Sequence, residues 1–305
     1  MKQIIQVLVA VVLGSMFSTT YAQQDPHFTQ YFDNTLFVNP AYAGSNEVLN
    51  FTAMHRQQWV GFDGRPVSSS FSLHSPLSYE SVGVGLTFVN DQLGPLKQNM
   101  VYGDFSYTLK FKNSKNKLSF GMKAGMNVIT MGTDLVTTEA NDPKLNSGLV
   151  NQINPNLGAG IYYHTPKFFI GASSPKILEK SYTGVSGRNI EQRHYFGIIG
   201  GVIKLNSSWK LRPTAQVKLT TNAPMSIDMS IAGVYSDKFW IGGMYRWDAA
   251  YGAFIQYQLS DQLKAGLATD FGTQAIKNYN SGTFEIMLSY DFRFKKEGVR
   301  SPRYF

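Results

Sequence analysis

Five histidines, His27, His55, His74, His164 and His194, are the imidazoles available for metal binding or proton transfer. No two of them stand four apart beside a glutamate, and the chain contains no cysteine, so neither a zinc-protease helix nor a thiolate metal site is encoded. The lack of cysteine also removes any disulfide framework. There is no G-x-S-x-G turn and no G-x-x-x-x-G-K-[ST] loop. Gly83-Val84-Gly85 suggests a phosphate cradle only in isolation. It lies inside an alternating segment, where glycine marks close packing or curvature. Acidic and basic side chains share one face of several segments. That arrangement is expected of lumen salt bridges or selectivity charges more than of a catalytic couple. The reading is therefore a non-enzymatic protein with no metal or cofactor.

The elements that carry these side chains repeat every two residues. In 117–131, KLSFGMKAGMNVITM, the residues Leu118, Phe120, Met122, Ala124, Met126 and Val128 alternate with Lys117, Ser119, Gly121, Lys123, Gly125 and Asn127. Successive strand side chains point to opposite faces, so this pattern gives one apolar and one polar face. Fourteen such segments lie near 47–59, 67–75, 81–90, 98–111, 117–131, 153–164, 166–173, 191–205, 208–220, 225–236, 238–247, 248–260, 262–272 and 281–294. Most reach the roughly 9–11 residues that a tilted strand needs to cross a bilayer, and an even number suits an outer-membrane barrel. Connections after even-numbered strands are short (HTPK, LNSS, SDK, LSDQ), and several after odd-numbered strands are long. Short periplasmic turns and longer outer loops are the barrel pattern. Aromatic residues near segment ends, including Phe111, Trp209, Tyr235, Trp240, Tyr245 and Trp247, are placed as interfacial girdles. The polar face carries Lys123, Arg212, Lys218, Asp228, Lys264, Asp270, Glu285 and Arg293, charges tolerable in a lumen and costly in lipid.

Composition supports this class. Charged residues are 16%, below the roughly 25% of soluble domains, while aromatic residues are 14%. The net charge of +8 is scattered along the chain, which argues against nucleic-acid binding. Lys2 followed by the apolar run 4–17 and Thr20-Tyr21-Ala22 reads as a signal peptide over 1–22. The expected organisation is a signal peptide (1–22), an N-terminal periplasmic or plug segment (23–45), an all-β transmembrane antiparallel outer-membrane barrel of about fourteen strands (46–294) and a C-terminal periplasmic tail (295–305).

Segment 24–45, QDPHFTQYFDNTLFVNPAYAGS, fits neither a helix nor a strand. A barrel of this size is too wide for its own side chains to fill. The expectation is that the segment folds into or under the lumen from the periplasmic side. Pro26 and Pro40 would fix extended bends. The asparagines and glutamines would bond the polar inner face, and Phe28, Tyr31, Phe32, Phe37 and Tyr42 would pack as a small core.

The same stretch carries a resemblance. Gln24-Asp25-Pro26, Phe28, Gln30-Tyr31 and Asn39-Pro40-Ala41-Tyr42-Ala43-Gly44 resemble the start of the PorP/SprF family of outer-membrane proteins in the type IX secretion and gliding machinery. Arg56-Gln57-Gln58-Trp59-Val60-Gly61-Phe62-Asp63-Gly64 looks like the family's first outer loop, and Asn90-Asp91 with Gly94-Pro95 like its second. Asp237-Lys238-Phe239-Trp240, Leu288-Ser289-Tyr290-Asp291 and Ser301-Pro302-Arg303 extend the similarity almost to the C-terminus. The resemblance implies support for secretion or surface attachment of an adhesin through the adhesin's C-terminal domain. It further implies contact with a periplasmic lipoprotein or motor-linked components, in an outer-membrane lipid setting. Candidate partner-binding or plug residues are Gln24, Asp25, Pro26, Phe28, Gln30, Tyr31, Asn39, Pro40, Tyr42, Arg56, Gln58, Trp59, Phe62, Asn90 and Asp91. Trp59 and Phe62 supply rigid contact area, and the neighbouring glycines let the loop turn. The rival reading is an outer-membrane porin or hydrophobic-solute channel.

Overall fold

The computed structural model describes residues 26–77, 81–131, 150–181, 190–221 and 223–292. Residues 1–25, which hold the expected signal peptide with Gln24 and Asp25, and residues 293–305, which hold Arg293 and the expected C-terminal tail, lie outside the described residues. Fourteen antiparallel strands form one closed ring. We number them β1 (Leu49–Gln57), β2 (Val67–Pro76), β3 (Val82–Leu93), β4 (Leu96–Lys110), β5 (Lys117–Met131), β6 (Val150–His164), β7 (Phe168–Lys176), β8 (His194–Gly201), β9 (Trp209–Thr220), β10 (Ser226–Tyr235), β11 (Phe239–Arg246), β12 (Ala250–Gln258), β13 (Leu263–Gly272) and β14 (Thr283–Phe292). Each strand pairs with its sequence neighbours. The ring closes where β1 runs against β14, from Leu49 opposite Phe292 to Gln57 opposite Phe284.

Closure leaves the sheet without a first or last strand, so the wall's backbone groups pair mainly along the ladders rather than with water. The alternation then fixes which face meets lipid. On β5, Met122 is 68% exposed while Lys123 beside it is 2% exposed. Leu267 and Ala268 on β13 divide in the same way. The apolar face points outward and the polar face inward, the inverse of a soluble sheet. At one rim Trp209 lies tilted against Tyr235 (5.1 Å) and Tyr290 meets Phe292 edge-on (4.7 Å); at the other, Tyr251 lies by Phe271 (6.0 Å) and Tyr245 by Trp247 (6.5 Å). Trp240 departs from the girdle expectation. It alternates onto the inner face and is 1% exposed, with the Lys264 ammonium 5.7 Å from its ring.

The two mouths differ. Chain reversals at one mouth are short: 77–81, 111–116, 165–167, 236–238 and 259–262. The other carries the long connections 58–66, 132–149, 177–193 and 273–282, together with tight turns at 94–95 and 247–249. The second outer loop is therefore smaller than expected. Asn90 and Asp91 belong to β3, with Gly94-Pro95 alone making the turn, because β3 and β4 stay paired as far as Leu93 opposite Leu96. No described helix is long and apolar enough to cross a membrane.

Candidate functional site: a filled lumen beneath an aromatic rim

Residues 26–46 run through the barrel as three single turns: a 3-10 turn at Tyr31–Asp33, a one-turn helix α1 at Thr35–Val38 and a second 3-10 turn at Pro40–Tyr42. Pro40 therefore starts a turn instead of fixing an extended bend. A proline at the first helical position loses no backbone bond, since that N–H would be unpaired anyway. The Asn39 side chain caps the turn by accepting from Ala41 N–H at 3.0 Å. All five rings of the segment are buried, Phe28, Tyr31, Phe32, Phe37 and Tyr42 each being less than a tenth exposed. They supply the core that the wall cannot supply alone. Tyr31, Phe32, Leu36, Ala41 and Tyr42 pack with Tyr162, Phe169, Ile198, Phe254 and Ala268. Phe28, Phe37 and Val38 pack with Met54, Val89, Met100 and Met287.

Hydrogen bonds set the direction of the segment. Next to the long-loop mouth, Glu285 of β14 accepts from Thr29 N–H (2.7 Å), Gln30 N–H (2.9 Å) and Gln30 Nε2 (3.1 Å). Asp270 of β13 accepts from the Thr29 hydroxyl at 2.7 Å. Arg56 of β1 sits between the two carboxylates, with Nη1 2.7 Å from Asp270 and 3.3 Å from Glu285, and also donates to the Thr29 hydroxyl. This is a buried ion cluster completed by backbone N–H groups of the segment. A single missing member would leave charge uncompensated, which costs far more than a surface pair.

Deeper in, Asp33 accepts from Lys264 (2.6 Å) and Gln256 (2.5 Å), and the Arg212 guanidinium lies 4.2 Å above the Phe32 ring. Asn34 donates to Ser70 (3.0 Å), and Tyr31 meets the Thr214 hydroxyl at 3.0 Å. Lys123, paired with Asp104 at 3.0 Å, donates to Leu36 C=O, and Ser173 donates to Val38 C=O at 2.8 Å. At the short-turn mouth, Ser106 donates to Ala43 C=O (2.7 Å), and Gly44 N–H donates to His74 Nδ1 (3.1 Å).

Wall glycines mark the closest approaches. A Cβ at Gly83 would overlap Ala43 C=O, and one at Gly121 would overlap Pro40 and Ala41. Gly83 and Gly85 thus do a packing job: both turn toward the segment, Gly85 against Leu36. Two cavities beside the segment measure about 10 Å³ and 20 Å³, the scale of a single water.

At the long-loop mouth Pro26, His27 and Phe28 adjoin Phe196, Gln216 and Lys218. His27 Nδ1 stands 3.7 Å from Asp228, which Arg246 grips at 2.6 Å. Burial, reinforced by the Lys218 and Arg246 charges, pulls the His27 imidazole down to about 3, against the opposing pull of Asp228. His27 is therefore neutral at physiological pH.

Above this mouth, the 58–66 loop extends the β1–β14 seam. Val60 N–H donates to Gly282 C=O (2.9 Å), and Ser281 N–H donates to Val60 C=O (2.7 Å). Trp59 adopts φ 54°, and its ring meets Phe62 edge-on at 6.4 Å. Phe62 is 39% exposed, a large ring facing outward on a backbone-bonded loop.

The candidate residues accordingly fall into separate groups. Phe28, Gln30, Tyr31, Asn39, Pro40, Tyr42 and Arg56 are together in the lumen, with Pro26 at its mouth. Gln58, Trp59 and Phe62 form the rim loop. Asn90 bonds Asn99 on the outer face of the β3–β4 ribbon, while Asp91 accepts from Ser68 at 2.5 Å on the inner face. The sequence reading assigned Thr29, Asp33 and Gln256 no role and placed Asp270 and Glu285 only as inner-face charges. Their inward parity near strand ends was the available signal.

Comparison with known proteins agrees with this architecture. Residues 20–290 match the family described as type IX secretion system membrane protein PorP/SprF. No curated protein matches the chain. Among solved structures, the CymD monoaromatic hydrocarbon channel is similar at 10% identity and TM-score 0.55, over 86% of this chain and 94% of that one. The Acinetobacter baumannii outer membrane protein Omp33 matches at 9% identity and TM-score 0.43, over 81% of this chain and all of the other. At such identities the first likeness speaks for the barrel fold alone.

Proposed function

This chain belongs to the PorP/SprF family of type IX secretion system membrane proteins, and from that premise we propose that it supports secretion or surface attachment of an adhesin by docking the adhesin's C-terminal domain on its long-loop face. The protein is an outer-membrane β-barrel of the secretion apparatus, and its family and fold are those of secretion and porin-type proteins, not of enzymes. The observation that carries the proposal is the filled lumen. Among the described residues, the barrel is packed by residues 28–43, and the cavities directly beside that segment measure only about 10 and 20 Å³. What remains for function is the rim. There Trp59 and Phe62 offer paired rings on a loop held by the β1–β14 seam, the kind of rigid aromatic anchor that dominates protein interfaces. Contact with a periplasmic lipoprotein or motor-linked component belongs to the opposite, short-turn mouth in this proposal.

Isolating the barrel from native membranes in gentle detergent tests the reading. Co-isolation of a surface adhesin, with loss of that adhesin on truncating both rim rings to alanine, is expected. Recovery of the barrel alone, together with steady conductance in a planar bilayer, would favour the channel reading instead.

A further inference from the structure

We infer that residues 26–44 thread the lumen from the outer mouth inward to β1, so that Pro26 is displayed at the cell surface. A barrel whose first strand starts at the short-turn mouth would ordinarily leave the preceding residues on that side. Here the contacts run the other way. His27 is surrounded by Lys218, Asp228 and Arg246, which sit at the long-loop ends of β9, β10 and β11. Thr29 and Gln30 are held by Asp270 and Glu285, at the long-loop ends of β13 and β14. Ala43 and Gly44 are held by Ser106 and His74, toward the short-turn ends of β4 and β2. Both ends of the segment are therefore fixed by side chains of the mouth at which each lies.

Pro26 then forms part of the outward-facing surface, beside Phe196, Gln216 and Lys218 at the long-loop mouth. The inference does not depend on adhesin docking. It depends only on the path of 26–44 and on long loops facing outward, as they do in outer-membrane barrels.

The absence of cysteine makes the test direct. Single variants Pro26→Cys, Asp63→Cys at the long-loop mouth and Lys115→Cys in the 111–116 turn are exposed to a membrane-impermeant maleimide on intact cells, then again after permeabilisation. A fourth variant carries Cys-Gly-Ser inserted immediately before Pro26, so that partial burial of position 26 cannot hide the thiol. Labelling of the Asp63→Cys variant and of at least one N-terminal variant on intact cells is expected, with the Lys115→Cys variant labelling only after permeabilisation. The inference is overturned if both N-terminal variants follow the Lys115→Cys pattern. It is equally overturned if neither labels in the folded protein while both label after denaturation, or if the Asp63→Cys variant itself requires permeabilisation.

Discussion

Replacing Glu285 with alanine strikes the outer latch of the lumen segment. The carboxylate accepts two backbone N–H groups and one side-chain N–H from Thr29 and Gln30, and it neutralises part of Arg56. Its removal leaves those donors and a buried guanidinium without that partner. Breaking one side of a buried ion pair costs about 3–5 kcal/mol, which at 1.4 kcal/mol per decade shifts the seated-to-released ratio by roughly two to four decades. The wall should survive, because residue 285 keeps its ladder neighbours Arg56 and Ala268. Thr35 is 3% exposed inside the segment, and a cysteine there, unbranched at Cβ, fits within the space that threonine fills. In purified protein, the rate of thiol labelling of the Thr35→Cys variant therefore reports release. The Glu285→Ala change should raise that rate by about a hundredfold or more, with a heat-modifiable gel shift still marking a folded barrel. Glu285→Gln should fall between, since it keeps an acceptor but loses the charge. A folded Glu285→Ala barrel whose Thr35→Cys labelling rate stays within about twofold of its parent would refute the assignment of the latch.

Other outcomes follow from the same geometry. Gly121→Ala places a methyl group against Pro40 and Ala41, so it should cost about 1–3 kcal/mol of overpacking and speed Thr35→Cys labelling without dissolving the barrel. Deleting 26–40 should leave an inserted barrel that conducts in a planar bilayer, because the wall alone cannot fill fourteen strands. Acidification should loosen the outer end of the segment. The His27 imidazole is held at about 3, below the free value of 6.5, so the neutral form favours seating; that contribution is intact above pH 6.5 and is lost as pH falls from 6.5 toward 3. Labelling of the Thr35→Cys variant should thus be flat from pH 7 to 8.5 after correction for thiolate content, and the His27→Ala variant should lose the acid-dependent component. Replacing both Trp59 and Phe62 with alanine should weaken adhesin retention by at least about thirtyfold, the scale of a 2 kcal/mol hot spot, without changing the gel shift.

The wall was legible in the sequence because its rule is local. Period-two alternation identified all fourteen strands, and the short links HTPK, SDK and LSDQ marked one mouth. The same alternation put Lys123, Asp270 and Glu285 inside. The girdle expectation failed for Trp240, whose position near a strand end suggested the membrane interface although its parity pointed inward. The lumen segment obeyed no period, since its three turns are held by side chains as far away as the 256 positions between Thr29 and Glu285. Its rings and amides suggested burial, but nothing local could give its direction through the barrel. Asn90 and Asp91 were misplaced for a related reason. Polar residues before Gly94-Pro95 look like loop, whereas the β3–β4 ladder continues through them because Asn90 bonds Asn99 and Asp91 bonds Ser68.

Site-specific photo-crosslinking from position 62 in living cells tests the central claim most directly, because Phe62 is the exposed ring of the rim loop. The account predicts a crosslink to the C-terminal domain of a surface adhesin, and none to that adhesin from position 115 at the opposite mouth. Failure to capture any protein from position 62, or capture of the adhesin from position 115 instead, would contradict it.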